Sequence, residues 1–532
     1  MRSVMVHQFS NVPGPQVMRS TFDRSHAHKT TIGPQNLYPV YVDEVLPGDT
    51  FNMKTNVFAR MQSNLVPVMD NLNIDIHYFF VPNRLVWANF KKFMGEQANP
   101  ADSTSYVIPS MNAASVSTGQ IGDYMGLPIY SGGAGPGMTV NELPFRAYNL
   151  IWNEWYRDEN LQNSVTVATG DSGSLFASYQ LLPRNKGHDY FTSSLPWPQK
   201  NNTGVSVDFL MGAPVVGDGS TNVDLVTSSG PTTRNLKAAM TTNNLWLDGA
   251  PLGADSDVRF STTNTGLVLG SSTVGTINAL RQAFQIQRLY ERDARGGSRY
   301  TEIVRAHFGV VSPDARLQRP EYLGGGSVRV NAHPVAQTSA TGLTGGSTAA
   351  GNLTAFSTAA GSGMGFTYSS TEHEYILGLC SMRVDLTYQN GLERFWSKST
   401  RLDLYWPALS HIGEQAVLKQ EIQFGNDNHD TDVWGYQERY AEYRYKPSRI
   451  SGNFRSNATS GGVFDIYHYS QDYQISGGRI SLNDTFIKQP ITPLYRNIIV
   501  ASGPMCFVDF YFKLVCARPM PVNSVPGLID HF

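Results

Sequence analysis

The chain has 532 residues, a formal net charge of −2 and only 16% charged side chains, against the ~25% usual in soluble domains. Near-neutral charge excludes a general polycationic condenser, so any enclosed nucleic acid would need most of its phosphate charge neutralised by something else. The low charge also points to surface hidden against neighbouring subunits, and the 49 glycines point to many turns.

The opening MRSVMVHQFSNVPGPQ lacks a continuous apolar run, so no secretion signal is expected. Residues 19–29 then gather Arg19, Arg24, His26, His28 and Lys29 before the first clear strand pattern. Such groups can pair with phosphates without reading sequence. Short strands are expected at 38–46 and 51–60. From Leu72 the chain alternates: Leu72, Ile74, Ile76, Tyr78 and Phe80 share one face, opposite Asn73, Asp75 and His77.

The middle changes period. Phe145, Tyr148, Trp152, Trp155 and Tyr156 lie at helical spacing within 144–161, and 276–293 and 298–308 also read as helices. These aromatic stripes suit core or subunit-interface packing rather than a cofactor site. GDSGS at 170–174 echoes a serine-protease nucleophile. The upstream histidines lack the context of a triad, so a turn is the expected role. Residues 200–272 are rich in Gly, Ser, Thr and Asn with little periodicity; an exposed, folded but oligomer-dependent protrusion is expected. The Gly324–Gly326 run lacks a following Lys-Ser/Thr and reads as a hinge or a close backbone contact. Residues 336–365, rich in Ala, Gly, Ser and Thr, read as a flexible surface loop.

Alternation returns near the C-terminus. Ile376, Cys380, Met382, Val384, Leu386 and Tyr388 form one apolar face. Cys506, Val508, Phe510, Phe512, Leu514 and Cys516 form another, opposite Asp509, Tyr511 and Lys513. Further short strands are expected at 402–406, 463–469 and 494–500. One-faced alternation of this kind belongs to antiparallel sheets, and about eight such strands suit a two-sheet jelly roll. The tail 517–532 carries three prolines and reads as an extended arm. No transmembrane span is expected, since 497–517 is broken by Gly503, Pro504, Asp509 and Lys513. Cys506 and Cys516 are ten positions apart on one strand and cannot bridge; with Cys380 they read as buried free thiols. GNDNHDTD at 425–432 crowds carboxylates that could hold Ca²⁺, but its spacing is not that of an EF-hand and an Asx-rich loop is the default.

The stretch VWGYQERYAEYRYKPSRISGNFR (433–455) packs Tyr436, Tyr440, Tyr443 and Tyr445 among Arg439, Arg444, Lys446, Arg449 and Arg455. Tyrosine faces can stack on unpaired bases while the cations meet phosphates. Tyr440, Arg444, Lys446 and Arg449 are therefore candidate nucleic-acid contacts beside the 19–29 group. Glu438 and Glu442 could equally pair with these cations.

Together with RLDLYWPALSHIGEQAVLKQEI (401–422), STFDRSHAHKTT (20–31), YVDEVLPGDTF (41–51), PVMDNLNIDIHYFFVPNRLVW (67–87), KFMGEQ (92–97) and PEYLGGGS (320–327), this stretch resembles the major capsid proteins of gokushoviruses, small tailless single-stranded DNA phages of the microvirus family. The resemblance runs from about residue 9 to the C-terminus and fades over 200–272. It implies an all-β fold, a single eight-stranded antiparallel jelly roll with long, partly helical insertions. It also implies a non-enzymatic structural role without cofactors: a T=1 icosahedral shell of identical subunits, with fivefold and threefold contacts, around circular single-stranded DNA. The expected partners are that genome, a small basic DNA-packaging protein, a minor pilot protein and a host surface receptor. The expected location is the virion, assembled in the bacterial cytoplasm.

The matching layout is an internal N-terminal arm (1–36), a jelly-roll core (37–90 and 372–516), insertions (91–371) in which 200–272 forms a threefold surface protrusion, and a C-terminal extended arm (517–532). The competing reading from another class is a jelly-roll carbohydrate-binding or carbohydrate-active protein. Nothing in the sequence nominates the carboxylate pair that glycoside cleavage would need.

Overall fold

The computed structural model describes residues 18–131, 137–198, 277–338, 351–473, 478–499 and 503–523, with short strands between 215 and 269 and at 341–343 and 346–348. Its main element is an antiparallel sheet of nine strands: β1 (Ser20–Asp23), β2 (His26–Ile32), β3 (Tyr38–Val45), β4 (Thr50–Met61), β5 (Leu72–Pro82), β6 (Glu321–Ala336), β7 (Leu353–Ser369), β8 (Glu374–Val384) and β9 (Cys506–Arg518). The path runs β3-β8-β5-β6-β7-β4-β9, with β1 and β2 in turn along the free edge of β9.

The sheet curls, and β6 is where it turns. Residues 321–330 of β6 pair with β5, and residues 331–336 pair with β7. The limb β3-β8-β5 thereby faces the limb β7-β4-β9. Phe51 of β4 meets Phe80 of β5 at 6.4 Å between ring centres, and Tyr41 of β3 meets Phe512 of β9 at 5.2 Å, although neither pair of strands is hydrogen-bonded. Alternation explains the core. In β4 the odd positions Phe51, Met53, Val57, Ala59 and Met61 are buried, and in β9 Val508, Phe510, Phe512 and Leu514 are.

β5 departs from simple alternation because it is covered on both sides. Its Ile74, Ile76, Tyr78 and Phe80 face the main core. Phe79 and Val81 pack instead into a second cluster with α1 (Leu143–Ile151) and the wider turn Trp152–Tyr156. Asp75 and His77, expected to be solvent-facing, are accordingly occupied: Asp75 pairs with Arg383 at 3.2 Å and His77 Nδ1 lies 2.8 Å from the Tyr156 hydroxyl. Burial, then the charge of Arg184, pushes the His77 imidazole down to about 4.

Two strands escape the sequence pattern. β6 and β7 lie in stretches read as insertion and flexible loop, because Gly, Ala, Ser and Thr carry little hydrophobic contrast. Their glycines instead permit close strand approach. A Cβ on Gly325 would lie 2.0 Å from the Ile76 carbonyl oxygen, and one on Gly365 would lie 2.0 Å from that of Met53. Residues 20–32, placed in an N-terminal arm, are ordered strands along β9.

Three short strand expectations give way to turns. Arg401–Asp403 and Asp465–Tyr467 are 3-10 turns, and Thr492–Tyr495 is one helical turn that contains Pro493, which lacks the backbone donor a strand needs. β8 ends at Val384, and Thr387–Tyr388 pair separately and in parallel with Ser448–Arg449.

Residues 199–297 form a compact unit of their own. Most of 200–272 lies outside the described residues. The described part contains three antiparallel pairings in nested order: Val215–Gly217 with Leu267–Leu269, Leu225–Val226 with Arg259–Phe260, and Leu236–Ala238 with Leu245–Leu247. α2 (Ile277–Gly296) closes this unit, and α3 (Tyr300–Phe308) begins the return to the main body. The far C-terminal tail, 524–532, also lies outside the described residues. Among the described residues no helix is long and apolar enough to cross a membrane.

Candidate nucleic-acid interface

The 19–29 segment is positioned by β9. β2 pairs along it from His26 opposite Phe512 to Ile32 opposite Cys506. Strand alternation sends His26 and His28 to the core side, where they pack on Phe512 and Phe510 with ring centres 5.2 and 6.4 Å apart. Burial, and then the neighbouring His26, push the His28 imidazole below its usual value. Lys29 points outward and lies 3.4 Å from Asp509. Arg24 forms a two-pronged pair with Asp43, at 2.6 and 3.0 Å. Burial opposes its charge, but the bonds and charge of Asp43 outweigh burial and raise its pKa. The Arg19 guanidinium donates to the Gly48 carbonyl and, at 3.0 Å, to the Thr50 hydroxyl.

The 436–455 segment is more fully committed. Tyr440 is buried, sits at a left-handed φ of 65°, and donates its hydroxyl to the Leu404 carbonyl at 3.1 Å. Arg444 pairs with Glu438, and Lys446 and Arg449 both pair with Glu393. These cations are exposed but their charge is offset locally. They adjoin a cleft of about 110 Å³ lined in part by Tyr190, Glu393, Arg394, Tyr443 and Lys446. Its charges are also matched: Arg394 with Glu421 at 2.9 Å and Lys398 with Glu442 at 3.0 Å. The partners of Tyr440, Arg444, Lys446 and Arg449 named above all lie outside the 19–29 group.

The other motifs resolve into structure. GDSGS wraps a fully buried ion pair, Arg146 with Glu142 at 2.9 Å. The Arg146 guanidinium donates to the carbonyls of Gly170 (2.9 Å) and Ser172 (3.0 Å), and Glu142 accepts from the Ser174 amide at 3.1 Å. Asp171 accepts the Trp87 indole at 2.6 Å. The motif is thus a polar lid over a buried charge pair. In 425–432, Arg479 inserts between Asp427 and Asp430, and Asp432 pairs with Lys419 at 3.3 Å and His429 at 2.9 Å. The Arg479 guanidinium thus engages two of the three carboxylates that a Ca²⁺ site here would draw on. Cys380, Cys506 and Cys516 are free and buried, and burial pushes the Cys506 thiol up to about 12.

A third group was not singled out by composition. On the outer face of β4 and β9, Lys54, Arg60 and Lys513 have no acidic partner among the described residues, and exposed Phe58, Phe507 and Tyr511 lie between them. The signal was the other half of the alternation, the polar positions that the apolar pattern leaves over.

Residues 10–528 match the family described as "Capsid protein (F protein)". The capsid protein VP1 of Bdellovibrio phage phiMH2K is 42% identical, over 99% of this chain and 98% of that protein. That of Chlamydia phage 1 is 40% identical over the same shares, and that of Spiroplasma virus 4 is 32% identical over 98% of each chain.

Proposed function

The chain belongs to the capsid protein (F protein) family and is a structural capsid protein rather than an enzyme; from this premise we propose that its copies close into a T=1 icosahedral shell around circular single-stranded DNA. The observation that carries the reading is the match to viral capsid proteins over essentially the whole of both chains.

The strand order supports an eight-stranded jelly roll as the shell-forming unit. β2-β9-β4-β7 make one four-stranded limb and β3-β8-β5-β6 the other, with β1 added beside β2. In this reading α1, the 199–297 unit and α3 are insertions between β5 and β6. Exposed apolar side chains suit burial between subunits: Phe395, Trp396, Leu402, Leu404, Tyr405 and Ile412 are each between 48 and 67% exposed on one short stretch.

The 200–272 segment is the proposed threefold protrusion and the proposed contact with a host receptor. The near-neutral chain leaves most genome charge to a small basic packaging protein, and a minor pilot protein completes the particle. Buried free thiols suit assembly in a reducing bacterial cytoplasm. Of the proposed DNA contacts Lys29 is the best placed, because it points outward from β2 beside an exposed face with unmatched cations, whereas His26 and His28 face the core side and Arg24, Arg444, Lys446 and Arg449 are paired with carboxylates.

Nuclease treatment of particles purified from infected or expressing cells tests the reading. DNA should resist digestion until the particles are opened, and then fall to a single-strand-specific nuclease. Particles devoid of DNA, or holding a duplex-nuclease-sensitive genome, would contradict it.

A further inference from the structure

We propose that the outer face of β4 and β9, continued by β2, is the surface on which the shell holds unpaired bases of its single-stranded genome. This rests on the capsid reading and gives it a set of residues. The face is fixed by register. Across β4 and β9, Arg60 lies opposite Phe507, Phe58 opposite Asp509, Asn56 opposite Tyr511 and Lys54 opposite Lys513. β2 adds Thr31 beside Phe507, Lys29 beside Asp509 and Ala27 beside Tyr511.

Two features of this face ask for an anionic, aromatic occupant. The first is charge. Lys54 and Lys513 are directly opposite each other, an arrangement that weakens a strand pair. Neither has an ion-pair partner among the described residues, nor has Arg60. Asp23, which register places on this face beside Val515, is bonded to the Ser25 amide at 3.0 Å and to its hydroxyl, and the charge of Lys513 is the smallest of the influences on it. Asp509 is matched to Lys29. Lys54, Arg60 and Lys513 therefore remain as three cations without an acid, and phosphates would offset them.

The second feature is exposed ring surface. Phe58, Phe507 and Tyr511 are 54, 40 and 46% exposed, and Arg60 lies over the Phe507 ring at 5.8 Å. Phe58 is diagonal to both other rings, at the roughly 7–8 Å spacing of diagonal cross-strand neighbours. Small side chains, Ala27, Asn56 and Ala360, separate them and leave the ring faces open. Rings spaced along a basic sheet face stack unpaired bases without sequence preference. A duplex has its bases already stacked and would meet only the cations.

The test uses the full-length chain, its unassembled fraction titrated with a short labelled single-stranded oligonucleotide of mixed sequence, its duplex form, and varied salt. The parent chain should prefer the single strand. Lys54→Ala/Arg60→Ala/Lys513→Ala should reduce the salt slope by about 2. Phe58→Ser/Phe507→Ser/Tyr511→Ser should weaken binding at least about tenfold with the slope unchanged. Both variants change exposed positions, and their thermal unfolding should match the parent. Arg444→Ala/Lys446→Ala/Arg449→Ala should have the smaller effect. Unchanged binding in the first two variants overturns the proposal. So does loss of particle assembly with oligonucleotide binding intact, which would make this face a contact with a second copy of the chain. Failure of the parent chain itself to form particles would instead strike the capsid reading.

Discussion

Arg146→Met should be among the most damaging single substitutions away from the main sheet. Arg146 and Glu142 are both 0% exposed and bonded at 2.9 Å. Burial alone would raise the Glu142 carboxyl, but hydrogen bonds from Arg146, Ser174 and Tyr179 outweigh it and hold it below its ordinary value. Removing the guanidinium leaves a buried carboxylate without its countercharge, a loss of about 3–5 kcal/mol. It also strips a donor from the carbonyls of Val86, Gly170 and Ser172. We therefore expect about 4 kcal/mol from urea unfolding of the unassembled chain.

Glu142→Gln/Arg146→Met should lose only about 2 kcal/mol, because the one oxygen of a neutral Gln can still accept from the Ser174 amide, its NH2 can donate to the Tyr179 hydroxyl, and no bare charge is buried. The single variant should also recover part of its loss below about pH 5, as Glu142 takes up a proton. A single-variant loss under about 1 kcal/mol, or a double variant no more stable than Arg146→Met, would refute the reasoning.

Phe510→Asp places a charge at a fully buried site between the rings of Phe512 and His28, and should abolish soluble, assembly-competent protein; normal particle yield would count against the core assignment. Gly325→Ala sets a Cβ against the Ile76 carbonyl and should lower the unfolding midpoint by several degrees, read by calorimetry, while the same change at Gly187, with open space around it, should do little. Glu374 is raised to about 8 by burial and then by Glu372 and Glu321, so the stability due to its retained proton is complete below about pH 4.5 and is lost as pH rises toward 8. Glu374→Gln should therefore be more stable than the parent at pH 8 and nearly equal at pH 4.5, by denaturant titration at both values; an equal gain at both would show that Glu374 does not titrate there.

The parts of the fold legible in sequence are those where one strand face meets apolar core and the other meets water. β4 and β9 alternate cleanly for this reason, and the expected strand over 51–60 and the alternating run from Cys506 to Cys516 fall inside them. β6 and β7 are opaque because glycine and small residues do there what hydrophobic contrast does elsewhere. They fit by close backbone approach, as at Gly325 and Gly365, and a sequence carries no partner strand against which to read that need. The candidate site is legible only as a list of cations. Sequence offers Glu438 and Glu442 as partners for the cations of 436–455, yet Lys446 and Arg449 meet Glu393, far along the chain, and Arg24 is taken up by Asp43 of β3. Lys54 and Lys513 look ordinary in sequence and become distinctive only when pairing sets them side by side.

Electron microscopy of the purified full-length chain tests the central claim most directly. The account predicts discrete, closed icosahedral particles of megadalton mass, with density for the curled sheet of β2–β9 in every subunit. A chain that stays monomeric under conditions where it is folded, or that binds glycans as a monomer, would contradict it.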